Sequence, residues 1–276
     1  MANQALAILE TALRARKLDR TLTTALPPLE RTDPGAVLPT DLTALDAALR
    51  GGLPRGQLSE ISGPRSSGRT TLLLQLLASI TRRGEVVALI DTFDRLDVAS
   101  AAAAGIDLGR LLWIRGQAIT KTEGATDLRE RTIDRALKAL NLVLQAGGFA
   151  VVAIDLADVP AVALRRLPMT TWLRVQRAVE GSETACVLTV PEPLARSAGG
   201  LTLTLDGQTT WSGNSDRSRR VAGLDVTARI VSSRRRVEGE VRLAATVGET
   251  THGGSENTEI KMAIPPCSPR LRVPSR

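Results

Sequence analysis

Tyrosine is absent from this 276-residue chain, and its aromatic residues number five, three Trp and two Phe. So few ring faces argue against sequence-tolerant binding of single strands by base stacking. The single histidine, His252, lies in the polar stretch TTHGGSEN, so histidine-based acid–base catalysis is not expected. Two cysteines, Cys186 and Cys267, share no metal-type spacing, which removes a zinc site and a disulfide framework. No uncharged apolar run reaches the roughly 18 residues of a membrane span. The N-terminal stretch MANQALAILETALRARK carries Glu10 inside its apolar part and has no signal-peptide core. A cytoplasmic protein that enters no membrane is expected.

What remains is an ordinary globular composition, 43% hydrophobic and 24% charged. The net charge of +7 is uneven. Residues 1–216 hold 24 Lys and Arg against 23 Asp and Glu, whereas residues 217–276 hold 12 against 6. An acidic partner such as DNA suits that C-terminal excess. Two arginine clusters, Arg217, Arg219 and Arg220, then Arg234, Arg235 and Arg236, flank the strand-like LDVTARIV. At the two ends of a hairpin they could form one phosphate-binding patch, or they could be two solvated turns. The codon bias behind 32 arginines and 4 lysines would also produce such clusters.

Periodicity divides the chain into an N-terminal helix and Pro-rich linker (1–35), a core (36–250) and a disordered tail (251–276). Leu6, Leu9 and Leu13 share one face of the first helix and are candidate partner contacts, including for self-association. From Gln57 to about residue 190, strand-like runs (QLSEIS, EVVALID, LLWIR, FAVVAID, TACVLTV) alternate with helical ones. That order predicts an α/β fold with a mostly parallel sheet. From Leu201 the pattern turns to strands and turns, read as antiparallel additions at one edge. Trp113 and Trp172 sit in apolar settings and suit the core, while Trp211 lies among polar residues and suits an exposed anchor. Asp41, Asp46 and Glu60 read as cap and surface residues.

The sharpest motif is GPRSSGRTT, between QLSEIS and the helix TTLLLQLL. Glycines there let backbone N–H groups wrap phosphates, and the helix N-terminus adds a favourable dipole. The pattern G-x-x-x-x-G-K-S/T is met at Gly63, Gly68 and Thr70 and fails at lysine, where Arg69 stands. Arginine keeps the charge, but its planar fork does not replace a compact ammonium. The nucleotide-binding candidates are Gly63, Pro64, Arg65, Ser66, Ser67, Gly68, Arg69, Thr70 and Thr71.

Around this motif the chain resembles the RecA family. The stretches LDAALRGGLPRGQLSEISGPRSSGRTTLLLQLL and EVVALIDTFDRLDVASAAAAGIDLGRLLWIRG carry the likeness, with FAVVAID as the second acidic strand end. It covers about residues 40–190 and implies a RecA-like P-loop core that binds ATP and magnesium. The arginine-rich GGLPRGQLSEI wording is most similar to ImuA-type proteins, RecA-fold accessory factors of bacterial mutagenic repair synthesis. The resemblance implies that Thr70 and Asp155 hold magnesium and that Asp97 lies near the adenine. Phe93 stands where the family has the glutamate that activates water, and Ser100 where a tyrosine stacks on the base. Asp94 is adjacent but points to a different side. The stretch Val190–Pro193 replaces a polar sensor, and both DNA-gripping loops are short.

A fold signature with a dismantled chemical site implies a weakly nucleotide-binding accessory protein of the SOS-type damage response. It would serve translesion synthesis and mutagenesis, bridging an ImuB-like, polymerase-type partner and DNA. The alternatives are an active RecA-like ATPase and recombinase, and a damage-response inhibitor of cell division.

Overall fold

The computed structural model describes residues 37–118, 125–195, 200–215, 217–233, 239–249 and 258–263. Two short strands, β1 (Val37–Leu38) and β2 (Leu53–Pro54), pair antiparallel around α1 (Thr43–Ala48). The sheet that follows has nine strands. Its parallel members are β3 (Leu58–Ser62), β4 (Val87–Asp91), β5 (Leu111–Arg115), β6 (Val151–Asp155), β7 (Ala185–Val190) and the start of β8 (Leu201–Ser212). Antiparallel strands β9 (Arg220–Ser233), β10 (Gly239–Glu249) and β11 (Thr258–Ala263) extend one edge. The spatial order is β11-β10-β9-β8-β3-β7-β6-β4-β5. The expected mostly parallel sheet with antiparallel edge additions is therefore present.

The central strands read as unbroken apolar runs because helices cover both faces. Side-chain alternation sorts them. Val87 and Leu89 of β4 and Val151 and Ala153 of β6 join one apolar cluster with Leu72, Leu76 and Ile80 of α2 (Arg69–Arg82). Ala88, Ile90, Val152 and Ile154 join the other, with Leu137 and Leu140 of α4 (Ala125–Ala146) and Trp172 and Val175 of α6 (Met169–Val179). Trp172 is fully buried, as its apolar setting implied. Cys186 is buried too, and burial pushes its thiol up to about 12, so it behaves as a small core residue rather than a nucleophile.

After β4 the chain forms α3 (Val98–Ala103), and Asp107 then caps a separate 3-10 turn. The connection after Asp155 holds a short helix, α5 (Ala161–Arg165). Residues 258–263, inside the stretch read as a disordered tail, instead form β11 against β10. An antiparallel partner with free edge groups recruits such a segment whatever its hydrophobic period. Leu6, Leu9, Leu13 and Cys267 lie outside the described residues.

Candidate phosphate-binding site

The loop Gly63–Gly68 joins β3 to α2 at the end of the sheet where the parallel strands finish. Gly68 is the N-cap of α2 at φ 90°, and a Cβ there would come within 2.8 Å of Val226 Cγ2. Conformation and neighbour both demand glycine. β8 pairs with β3 only through Leu201–Thr204 and then runs on beside the loop. There Gly207 lies so close that a Cβ would sit 2.7 Å from the Ser66 carbonyl oxygen. The loop is thus held from below by β8 and from one side by β9. The first-turn amides of α2 have no carbonyl partner within the helix and face the loop with the positive end of its dipole.

A cavity of about 250 Å³ opens between this loop and the antiparallel strands. Ser66, Ser67, Gly68, Arg69, Thr70 and Thr71 line one side, and Thr209, Val221, Gly223, Leu224 and Ala245 the other. Six of the nine loop residues read from the sequence therefore meet at one hollow. Gly63, Pro64 and Arg65 do not line it. Ser67 Oγ is buried without a hydrogen-bond partner among the described residues. An orphaned hydroxyl beside converging helix amides fits an oxyanion of a phosphate. The volume is below the usual range of about 300–1,000 Å³ for small-molecule sites, so it suits a phosphate chain better than a whole nucleotide.

Arg69 does not extend into solvent. Only 6% of it is exposed, and its Nη1 donates to the Ala157 carbonyl at 3.4 Å, just past the end of β6. Burial lowers the guanidinium's proton affinity, and Asp155 and Asp158 oppose that loss; arginine stays charged throughout. Asp155 closes β6. Its Oδ1 accepts from the Ala157 amide at 2.9 Å and from Thr189 Oγ1 at 2.5 Å. Burial pushes its carboxyl above the usual carboxylate range, with those two hydrogen bonds pulling the other way and Asp91 and Asp158 adding to the rise.

Magnesium would need Thr70 and Asp155 as ligands. Both carry oxygens of the right hardness. The Arg69 side chain also reaches the end of β6, and Asp155 Oδ1 already accepts two hydrogen bonds, which leaves Oδ2 for a further partner. The phosphate part of the implied cofactor fits these residues, and a divalent ion would have to share this strand end with the Arg69 guanidinium.

The other expected chemistry is absent in a specific way. Phe93 is 6% exposed and packs in the apolar cluster under α4 and α6. It fills core volume and offers no group to a water. Asp94, in the left-handed conformation at φ 56°, is held bidentate by Arg115 at 2.8 and 2.7 Å. Arg115 holds the Asp94 carboxyl below its usual range. Asp97 caps α3 by accepting from Ser100 N and Ser100 Oγ, and neither residue lines the cavity.

Two site residues were missed in the sequence. Thr189 supplies a polar contact to Asp155 one residue before the stretch read as lacking a sensor. Its signal was a hydroxyl at the end of an apolar strand. Glu60, read as a surface residue, is fully buried. Its Oε1 accepts from the Leu194 and Ala195 amides and its Oε2 from Thr202 Oγ1. It sits on the central strand β3, where no side chain reaches water, so a carboxylate survives only by being hydrogen-bonded. Asp41 and Asp46 have the expected local roles, with Arg82 and Arg83 and with Thr40 respectively.

Arg217, Arg219 and Arg220 occupy the β8–β9 turn, where the Arg219 guanidinium lies 5.4 Å from the ring centre of Trp211. Trp211 is 54% exposed, as its polar surroundings implied. The 14 residues of β9 separate Arg220 from Ser233 by about 40 Å. Arg234, Arg235 and Arg236 lie outside the described residues.

Comparison with known proteins agrees with this geometry. Residues 28–159 match the RecA N-terminal domain. Protein RecA of Clavibacter michiganensis subsp. michiganensis is 38% identical over 123 residues, 44% of this chain and 30% of that protein. Protein RecA of Prochlorococcus marinus (strain MIT 9303) is 47% identical over 74 residues, 27% of this chain and 20% of that protein. The chain thus spans about 30% or less of the length of these relatives. A crystal structure of the RadB recombinase superposes with a TM-score of 0.52 at 20% identity, over 77% of this chain and 96% of that one. The chain is thus similar to RecA proteins over residues 28–159, and its sheet has the fold of the RadB recombinase structure.

Proposed function

We propose that this chain is a non-hydrolysing RecA-like accessory protein of DNA damage tolerance, of ImuA type, that joins a translesion polymerase-type (ImuB-like) partner to DNA. One observation carries the reading. The phosphate loop is intact in shape, while the position of the water-activating glutamate is filled by a phenylalanine buried in the core. Phosphates can be cradled there, but the phenylalanine at that position has no proton acceptor to offer a water. The Trp211–Arg219 pair and its neighbouring arginines at the hairpin tip supply a sequence-independent DNA contact. Leu6, Leu9 and Leu13 supply the protein contact, to the partner or to a second copy. The core spans about 36–250, and the accessory role places the protein in the cytoplasm. Among the described residues no helix is long and apolar enough to cross a membrane.

The relatives named RecA favour a second reading, an active RecA-like ATPase, through less than a third of their length. Phosphate release by the unmodified protein with DNA separates the two. The accessory reading expects none above background, and turnover at a RecA-like rate that Asp155→Ala abolishes would replace it with the enzyme. DNA binding at varied salt tests the other arm. Replacing Arg217, Arg219 and Arg220 with alanine should flatten the log–log salt slope by about one unit per lost phosphate contact.

A further inference from the structure

We infer that Arg69 takes the place of the divalent cation, so that the loop binds a polyphosphate without magnesium. The inference rests on the reading of the loop as a phosphate site.

Four observations converge on Arg69. The guanidinium is 6% exposed, so its charge is committed to this site rather than to solvent. It reaches the end of β6, donating to the Ala157 carbonyl at 3.4 Å. That is where a metal held by Asp155 and Thr70 would also have to be. Asp158 is bracketed by Arg65 at 3.8 Å and Arg95 at 3.5 Å, and both Asp155 and Asp158 favour the charge on Arg69. Among the described residues the bond to Ala157 is the one hydrogen bond of the Arg69 side chain, so most of its five N–H donors remain for a ligand.

A guanidinium and a phosphate match in a forked pair of N–H···O bonds, which a compact ammonium cannot make. A divalent ion in the same few ångströms would meet like charge in a poorly hydrated space. Asp155 then lies near Arg69 as a countercharge shared with Asp158, and Thr189 and the Ala157 amide orient it. The occupant is a di- or triphosphate chain, free or as the tail of a nucleotide.

Isothermal titration of the full chain tests this with tripolyphosphate and with ATP, each in excess Mg²⁺ and in EDTA. The expected result is that affinity in EDTA equals or exceeds that in Mg²⁺, within about threefold. Arg69→Ala should weaken binding in EDTA by about tenfold or more. Arg69→Lys keeps a positive charge with a compact head and should move the preference toward Mg²⁺. It also covers the case in which the alanine variant fails to fold. Binding by the unmodified chain that is more than about threefold tighter in Mg²⁺ overturns the inference and leaves the phosphate site standing. Binding that ignores both substitutions overturns the assignment to Arg69. No binding of either probe under either condition overturns the phosphate reading itself.

Discussion

Asp91 and Asp155 end adjacent parallel strands in nearly the same words, ALID and VAID, and are register partners across β4 and β6. Their fates differ. Asp91 is 2% exposed and fully engaged, Oδ1 by the Arg95 amide and Oδ2 by the Leu96 amide and Trp113 Nε1. It organises the turn that follows β4 and offers nothing to a ligand. Asp155 receives two hydrogen bonds on one oxygen and faces a buried arginine from another element. One acidic strand end has become structural, and the other has kept a place beside the phosphate loop. An acidic strand end is therefore only an opportunity; the residues arriving from other elements assign its use.

The largest effect should come from removing the structural member. Asp91→Ala orphans two amides and an indole N–H in a dry setting and should cost about 3–5 kcal/mol. Asp155→Ala should cost less than half of that by urea denaturation. Equal losses would break the distinction. Phe93→Glu follows, because it puts a carboxylate among core side chains, at about 2–4 kcal/mol. It should not produce phosphate release by itself. Joined with Arg69→Lys it should restore part of a general-base contribution, which is about 10²–10⁴-fold. Restoration by Phe93→Glu alone would show that only the base had been lost. Thr189→Val sharpens the Asp155 side, since it removes one donor and should cost about 1 kcal/mol. The companion measurement is tripolyphosphate affinity, which should fall if Asp155 is thereby misoriented.

The smallest effect tests an exposed carboxylate at the same strand end as Asp91. The hydrogen bonds from Arg115 hold the Asp94 carboxyl below the usual carboxylate range. An acid whose folded value is depressed stabilises the fold above its unfolded value, and that contribution is lost as pH falls through the lower folded value. Arg115→Ala should therefore lower the urea midpoint slightly at pH 7 and leave it unchanged well below the Asp94 folded value. A difference that persists in strong acid would assign the effect to the Arg115 stack on Trp113 instead, where the two lie 4.6 Å apart.

Much of this arrangement was legible in advance, for local reasons. The strands β3, β4, β6 and β7 declared themselves as short β-branched runs, and the loop by glycines at set spacing before an apolar helix. Phe93 and Arg69 were readable as departures because their positions follow from that spacing. Glu60 was not readable as buried, because alternation cannot say which strand is central. Thr189 was not, because a threonine at a strand end is common and only the register with Asp155 gives it a partner. β11 was hidden because its pairing is supplied by β10.

The sequence by itself determined the layer order, the phosphate loop and the loss of the water-activating carboxylate. These depend on periods, glycine geometry and residue type, all of which are local. Only the tertiary structure decided where Arg69 goes, which oxygen of Asp155 is occupied and that β8 and β9 close around the loop. Those outcomes depend on contacts such as Arg69 with Ala157 and Ser66 with Gly207, whose partners are far apart in the chain. Burial and electrostatics at that strand end are set by distance in space, which local pattern does not encode.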